Sequence, residues 1–545
     1  MSTLPPAPTT APLRGPMPRR RKLKQVLIVG IGLGMFWAWL EHERAESGVQ
    51  AYKRELLARG ERLDFKELRP AMPKPEENAA PEFLAAAGKL KNFDTSIQVG
   101  GKPLRFPFSA TDEMARPTSP TRARVAWQQP QMSTVELGTE VSTNAWPMWI
   151  AWTDAHRSVL RAGVKALERP GWGVDINWDP SAERYEYQAG LGTLFRALAT
   201  AVIVDLHQGR PAEAHIKLLA LTEVLTRLDE PTTFLGGCPA LSLSGTASRA
   251  TWETLQYPNW TDEQLAELQG KWERTDLLKA LVRYLEQQQA INAFIFEDYR
   301  SDSDKLRMFD PRRWRSSEVR PPEPPWDQIR KVPSEFAEWL QTTWRLNTWP
   351  KWNSYLDERQ LLHTIHTCLE LARIVHAQPT TFAAHRETEV ISGKIAKPHE
   401  AWFCSRAFAV GFNQNLVALY VHHETIRRLT ITAIALERHR LRHGSYPESL
   451  AVLVPDVLRE VPVDFQDAHP LRYRREANGE FLLWSVGKNG IDDGGNENPV
   501  GAPARTRPQW QFGGLDIVWP RPASAEDVAA LHRDLAIERA EKMNP

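Results

Sequence analysis

Apolar residues recur every three or four positions through much of residues 146–289, which is the period of an amphipathic helix. Between Tyr187 and His207 the apolar positions in this pattern are Leu191, Leu194, Leu198 and Val202. Gly209-Arg-Pro211 then predicts the end of one helix and the start of its partner, because glycine favours a helix end and proline a first turn. Thr261-Asp-Glu-Gln264 predicts a capping box that opens a further helix. The central region is therefore predicted to be a body of antiparallel α-helical hairpins.

Weaker patterns flank this body. Residues 96–106 predict a small hairpin, since two short runs surround a Gly100-Gly101 turn. A charged helical stalk and a proline-broken linker are predicted over residues 45–90. A later helix is predicted from about Trp352 to Ala377, where the helical period returns.

The C-terminal part changes from a helical period to strand-like runs. A helix is predicted from about Asn413 to His443, with Gly444 as the residue that ends it. Residues 471–475 and 480–485 then predict a hairpin, because Asn478-Gly479 is a favoured dipeptide for a two-residue turn. The overall prediction is a mainly α fold with a small α+β domain at the C-terminus.

An uncharged run, Gln25 to Leu40, follows a basic cluster near the N-terminus. The first 24 residues carry six Lys and Arg and no acid, and since the whole chain carries +1, the remainder carries −5. An apolar run behind positive charge predicts a single membrane anchor over residues 25–41, with the basic tail in the cytoplasm and the bulk outside it. The near-neutral body lacks the basic surface that nucleic-acid binding needs, so no nucleic-acid partner is expected.

Two other interpretations of this segment are less favourable. A cleavable signal peptide has a similar charged start, but residues 41–46 offer no small-residue cleavage pattern, which favours an uncleaved anchor. Residues 26–34 resemble the strand and glycine turn of a dinucleotide-binding site. The glycine spacing is wrong for that site, and no suitably placed acidic residue follows in a βαβ unit.

A histidine and carboxylate spacing stands out in the helix at 352–377. His363, His366 and Glu370 fall at i, i+3 and i+7, which places them on one helical face, and such groups can hold zinc or iron. The alternative to a metal site is a solvated or hydrogen-bonded histidine face. Neither a nucleophile elbow nor a Walker loop occurs in the chain. A non-catalytic role is therefore preferred, and an envelope hydrolase or metalloenzyme that uses this face is the rival.

Residues 300–350 combine a proline-rich stretch with a group of tryptophans. These tryptophans and the one that follows stand at positions 314, 326, 339, 344, 349 and 352. Aromatic density of this kind can present a surface for a glycan or a peptide, or it can fasten an irregular excursion onto the helical body. An envelope protein or a glycan is accordingly an expected partner.

The order of features from Leu436 to Trp519 is similar to the globular domain of the major pseudopilin of type II secretion. That order is a long helix, Gly444-Ser-Tyr-Pro447, a hairpin, the glycine-rich acidic loop 485–495 and a late Asp516-Ile517. The resemblance covers about 100 of the 545 residues. It implies a small α+β domain and a place outside the bacterial cytoplasmic membrane, in the periplasm, and it implies no enzymatic activity.

In pseudopilins of this type the final loop holds a calcium ion. Carried over by position, the resemblance implies Asp493 and Asp516 as the leading calcium ligands, with Asp492, Asn489 and Ser485 as further oxygen donors. The alternative is a solvated Asp/Gly turn without a metal.

The chain departs from a pilin at its N-terminus. The apolar run precedes Gly34-Met35 and Glu41 lies beyond it, whereas pilins need a cleaved leader and a glutamate early in the mature helix. Polymerisation into a filament is therefore not expected. The predicted domains are a basic tail at 1–24, the anchor at 25–41, a stalk and linker at 42–145, the helical body at 146–412, the pseudopilin-like domain at 413–520 and a C-terminal helix at 521–545.

Overall fold

The structure is a computed structural model of the 545-residue chain. It describes residues 19–64, 67–68, 72–90, 146–174, 183–228, 238–301, 353–385, 416–487, 489–496 and 516–527, with 529 and 533, together with short pieces of strand and turn between 98 and 144. This part is mainly helical and carries a small three-stranded sheet, which confirms the predicted fold class at that level.

The helices follow one another with few strands between them. They are α1 Arg19–Ala58, α2 Ala80–Gly88, α3 Trp146–Ala155, α4 Arg157–Ala166, α5 Glu183–His207, α6 Pro211–Thr226, α7 Cys238–Leu255, α8 Asp262–Arg274, α9 Leu277–Ser301, α10 Asn353–Ala377, α11 Phe382–His385 and α12 Leu416–His443. Single turns of 3-10 helix lie at Ala126–Gln128, Pro379–Thr381 and Leu450–Leu453.

The strands are short and mostly antiparallel. They are β1 Gln98–Val99, β2 Lys102–Pro103, β3 Pro117–Ser119, β4 Arg122–Ala123, β5 Thr134–Glu136, β6 Thr139–Val141, β7 Arg472–Arg475, β8 Phe481–Val486, β9 Asp516–Val518 and β10 Arg521–Pro522. β1 pairs with β2, which confirms the hairpin predicted around the Gly-Gly dipeptide. The order β7-β8-β9 forms the antiparallel C-terminal sheet, and β10 joins β4 in a parallel pair.

The chain divides into two compact units. The first comprises residues 1–60, 296–360 and 401–407, and the second comprises residues 61–295, 361–400 and 408–545. In the first unit, a carboxylate without solvent exposure ties three helical segments together. Glu358 of α10 lies 2.6 Å from Lys53 Nζ of α1 and 2.5 Å from Arg300 Nη2 of α9. Such a cluster is stable only when every charge has its partner, because unpaired charges are costly away from water.

The second unit is built on packed helical hairpins. α5 packs against α6 and α7, and α12 packs against α7 and α8. Gly209 has a φ of +68° at the turn between α5 and α6, and Pro211 opens α6, as the sequence predicts. The capping box of Thr261 and Gln264 is formed at the start of α8.

The C-terminal end of α12 and the hairpin after it also match their predictions. Gly444 follows α12 with a φ of +77° and donates its N–H to Arg440 O at 2.8 Å, which ends the helix. β7 and β8 pair with Arg475 opposite Phe481, and Gly479 takes a φ of +83° in the turn. Leu482, Trp484 and Val518 form a buried cluster on the sheet.

One described helical stretch, Gly190–His207 in α5, is long and apolar enough to cross a membrane. It is 72% buried inside the protein, as befits a helix of the core. The tryptophan-rich residues 302–352 and residues 497–515 lie outside the described residues, as does most of the predicted C-terminal helix at 521–545.

Candidate functional site

The acidic glycine loop leaves the sheet at the end of β8 and returns to it at β9. Gly495 has a φ of +84°, and a Cβ added there would lie 2.7 Å from Leu482 Cδ2. Any larger residue would therefore be both strained and crowded at this position. The glycine brings the loop backbone close enough to the sheet to meet the first carboxylate of β9.

Asp516 is that carboxylate, and it is nearly buried. Its Oδ2 accepts the backbone N–H groups of Gly495 at 2.8 Å and Asn496 at 3.1 Å, and its Oδ1 accepts the Asp493 N–H at 3.4 Å. Burial raises the pKa of Asp516, and these three N–H groups offset part of that rise. The carboxylate thus acts as an internal anion that orders the loop backbone.

The other predicted calcium ligands on the loop contact two different sets of partners. Asn489 donates from Nδ2 to Asp493 Oδ2 at 2.9 Å, and Asp493 is the residue whose N–H meets Asp516. Asp492 instead accepts Trp484 Nε1–H at 2.9 Å and lies 3.6 Å from Arg472 Nε. Although burial opposes ionisation of Asp492, the hydrogen bond from Trp484, a backbone hydrogen bond and the charge of Arg472 lower its pKa.

Ser485, the fifth predicted ligand, faces away from the loop. Its hydroxyl donates to Asp464 Oδ1 at 2.8 Å. Asp492 and Ser485 thus contact other partners, and both carboxylate oxygens of Asp516 accept hydrogen bonds from backbone N–H groups. Among the residues that the structure describes, no group of three or more His, Cys, Asp or Glu side chains could hold a metal ion. In this arrangement the five side chains do not fit a calcium shell, so we expect the loop to be ordered without calcium.

Asp464 is a buried residue of this region that sequence reasoning missed. It accepts the N–H of Val486 at 2.8 Å and the N–H of Gln466 at 3.0 Å, and Arg472 Nη1 lies 3.3 Å from it. Burial raises the pKa of Asp464 to about 6, against the effect of these hydrogen bonds. A carboxylate placed between Val463 and Phe465 is the sequence signal that could have indicated such a role.

The two histidines on this face of α10 differ in burial. His366 is buried and its Nε2 lies 3.2 Å from Glu370 Oε1, whereas the side chain of His363 is exposed. Glu61 Oε1 lies 3.9 Å from His366 Nδ1. Glu61 is in turn paired with Arg373 at 2.5 Å, and Arg373 also donates to Glu286 at 2.8 Å. His366 therefore borders an ion-pair network, whereas His363 lies at an exposed position of the same helix.

A cavity of about 290 Å³ lies beside the C-terminal end of α12. It is lined by the end of α7, the side of α12, Tyr446, the hairpin turn at 478–481 and residues 519–522. On one wall, Glu437 accepts the Tyr446 hydroxyl and pairs with Arg440 at 2.8 Å. Tyr446 stays protonated, because burial and the nearby Glu437 carboxylate raise its pKa.

No family model, curated protein or solved structure matches the chain. What the protein does is therefore inferred from its own residues. The exposed apolar part of α1, the self-satisfied acidic loop and the cavity beside α12 are the features that bear on it.

Proposed function

We propose that the chain is a single-pass membrane protein whose bulk lies outside the cytoplasm, where it acts as a non-catalytic binding or assembly component of the cell envelope. The exposed apolar face of α1 is the observation that carries this proposal. Five large apolar side chains between residues 29 and 39 of α1 are more than half exposed: Val29 at 59%, Leu33 at 64%, Phe36 at 56%, Trp37 at 65% and Trp39 at 53%. A contiguous apolar surface of this kind needs a covering, and lipid supplies one.

The sequence around this face supports a lipid bilayer, rather than a protein partner, as the covering of α1. The uncharged run spans residues 25–40, about 24 Å of helix at 1.5 Å per residue. The flanking Lys24 and Arg44 can extend their charges towards the two membrane surfaces, which makes up the difference from the roughly 30 Å hydrocarbon core. Six basic residues precede the run, which favours the orientation with the N-terminus in the cytoplasm.

The C-terminal region supports an assembly role. α12, Tyr446-Pro447, the β7-β8 hairpin, the acidic loop and β9 follow one another in the order found in pseudopilin globular domains. We propose that residues 413–520 form a domain of that kind. It would act as a protein contact module.

Membrane extraction tests the anchor. Cells that express the full chain are fractionated, and the membranes are washed with alkaline carbonate, which releases peripheral proteins. We expect the wild-type chain to stay in the membrane fraction and the double variant Val29→Arg with Leu33→Arg to be released. Each arginine costs about 3 kcal/mol of insertion free energy near the centre of a membrane helix.

Leu57→Arg is the matched control, because Leu57 is a 53% exposed apolar residue of the same helix beyond the proposed anchor. It should fractionate as wild type does. A C-terminal tag that is accessible to protease in spheroplasts would establish the orientation. Release of the wild-type chain by carbonate, or equal release of the Leu57→Arg variant, would overturn the proposal.

A further inference from the structure

The C-terminal end of α12 carries two histidines four positions apart. The chain has 15 histidines, and His439 and His443 are the only two with that spacing, which places both rings on one face of the helix. Their ring centres lie 4.3 Å apart, with an angle of 36° between the ring planes. The two histidines of metalloprotease helices have the same spacing and bind one zinc ion together. The end of α12 therefore brings two nitrogen ligands together within a single element.

A hydrogen bond to the backbone sets the tautomer of His439. Its Nδ1 lies 3.1 Å from Ser445 O, and because a carbonyl oxygen only accepts, Nδ1 carries the proton. In the neutral ring Nε2 then keeps its lone pair, and within the described part of the chain this nitrogen has no hydrogen-bond partner. Metal-binding histidines commonly donate their second nitrogen to a backbone carbonyl in this way. His439 is thus prepared as a ligand through Nε2.

The separation of the two rings suits one shared ion. A metal–nitrogen bond of about 2.0–2.1 Å puts each ring centre about 3.2 Å from the ion, so two rings bound at a right angle have centres about 4.5 Å apart. The observed 4.3 Å is close to that value. His443 is exposed and His439 retains 9% exposure, so an ion can arrive from solvent and water can complete its shell.

The charges around the pair permit a cation. Arg438 and Arg442 both donate to the carboxylate of Asp262, at 2.8 Å and 2.6 Å. Arg440 pairs with Glu437 at 2.8 Å. Two carboxylates thus offset most of the charge of the three guanidinium groups. The carbonyl groups at the C-terminal end of a helix add partial negative charge, which favours a positive ion there.

The ligand type narrows the class of ion. Imidazole nitrogen suits copper, nickel and zinc, whereas calcium and magnesium prefer oxygen. We propose that His439 and His443 together bind one divalent transition-metal ion of this class. Two side chains and water hold the ion, so it exchanges readily, and Cu²⁺ binds most tightly among these metals. The site goes beyond the binding or assembly role and does not depend on it.

A Cu²⁺ titration of the purified full chain tests the site. The protein in detergent is first stripped with chelator and desalted, and glycine is added to hold non-specifically bound copper. We expect saturable binding of one equivalent with nitrogen coordination in the EPR spectrum, and weaker binding of Zn²⁺. His439→Ala and His443→Ala should each weaken Cu²⁺ binding by roughly tenfold or more.

His443→Phe separates a ligand role from a packing role, because it keeps an aromatic ring beside His439 but offers no metal ligand. In chelator this variant should melt as wild type does. Cu²⁺ should raise the melting temperature of the wild type and leave that of the variant unchanged. His469→Ala is the matched control, since this histidine side chain is 74% exposed and lies elsewhere in the chain. It should bind Cu²⁺ as wild type does.

Equal Cu²⁺ affinity in wild type and His443→Phe would overturn the proposal. Absence of saturable binding by the folded wild type, or an equal loss in His469→Ala, would do the same. Because His443 is exposed, its variants keep the test decisive even if His439→Ala fails to fold. The membrane extraction test involves no metal, so a failure of either proposal is recognisable.

Discussion

Asp516 Oδ2 accepts the backbone N–H of Gly495 at 2.8 Å, and this bond closes the acidic glycine loop onto the sheet. In a calcium-bound loop the aspartate oxygens would face a cation, whereas here they face N–H donors. The loop is therefore ordered by a charge of the chain itself. The same carboxylate cannot serve the N–H groups and a cation equally well.

The first prediction concerns this loop. Asp516→Asn should lower the stability of the C-terminal region by about 2 kcal/mol, because it weakens charge-assisted hydrogen bonds to backbone groups. The thermal melt of the wild-type protein should be the same in calcium and in chelator. Asp456→Asn, at an exposed turn position, is the control and should melt as wild type does. A calcium-dependent rise in melting temperature that Asp493→Ala abolishes would instead establish the predicted metal site.

The second prediction concerns pH. Glu253 is fully buried in α7 and accepts the Ala126 N–H at 2.9 Å, and burial raises its pKa to about 7, against the effect of the Arg249 charge and backbone hydrogen bonds. A raised carboxyl pKa means that the folded state holds its proton more tightly than the unfolded state. Stability from this group is therefore complete below about pH 4.5 and is lost as the pH rises to about 7.

Urea denaturation at pH 5 and pH 8 measures this effect. The wild type should lose about 2 kcal/mol more of its unfolding free energy over that interval than Glu253→Gln, which cannot titrate. Glu267→Gln, at an exposed carboxylate of α8, should retain the wild-type pH dependence. Identical pH profiles for wild type and Glu253→Gln would contradict the prediction.

The third prediction concerns the charge cluster of the first unit. Glu358→Ala would remove the carboxylate that Lys53 and Arg300 share and would leave Lys53 with Glu297 as a partner, so we expect the free energy of unfolding to fall by about 3 kcal/mol. Hydrogen exchange in α1 should increase in this variant. Glu55→Ala breaks only the exposed pair with Arg59 and should cost no more than about 0.5 kcal/mol. Similar exchange in the two variants would count against a structural role for the cluster.

The fourth prediction separates the binding role from the metalloenzyme alternative. Metal analysis of the purified chain should give less than stoichiometric zinc and iron, because His366 is buried whereas His363 is exposed, and no three His, Cys, Asp or Glu side chains among the described residues are grouped as metal ligands. Stoichiometric zinc or iron that His363→Ala removes would overturn our preference and favour an enzyme. Arg373→Ala would then serve to test whether the neighbouring ion pairs support the metal.

Local signals in the sequence predicted the elements well. The turn at Gly209 and Pro211, the capping box at Thr261 and the hairpin at Asn478-Gly479 each depend on a few neighbouring residues, and all three form as expected. Periodicity also identified Leu191, Leu194, Leu198 and Val202 as buried, although α5 is buried on every side over residues 197–206. Each of the three turn and cap features is decided by local backbone conformation.

Long-range polar contacts were not predictable in the same way. Arg373 pairs with Glu61 across 312 positions of the chain, and a helical period says which side of α10 is buried but not which residue it meets. His363 and His366 show the same problem. Their spacing places them on one helical face, but His363 is exposed and His366 is buried. Asp464 was missed because two of its partners are backbone N–H groups, which leave no mark in a pattern of side chains, and Ser485 and Arg472 reach it only in the folded chain.

α1 runs without a break from Arg19 to Ala58, and Lys53 lies twelve residues beyond the end of the proposed anchor, about 18 Å along the helix axis. Because the helix is continuous, a rotation of its membrane part about the helix axis also rotates its part outside the membrane. In the proposed orientation, the turn of α1 about its own axis within the bilayer would decide which direction the first unit faces along the membrane surface. Inserting one residue between Glu41 and Lys53 would change that bearing by about 100°, whereas inserting seven would nearly restore it.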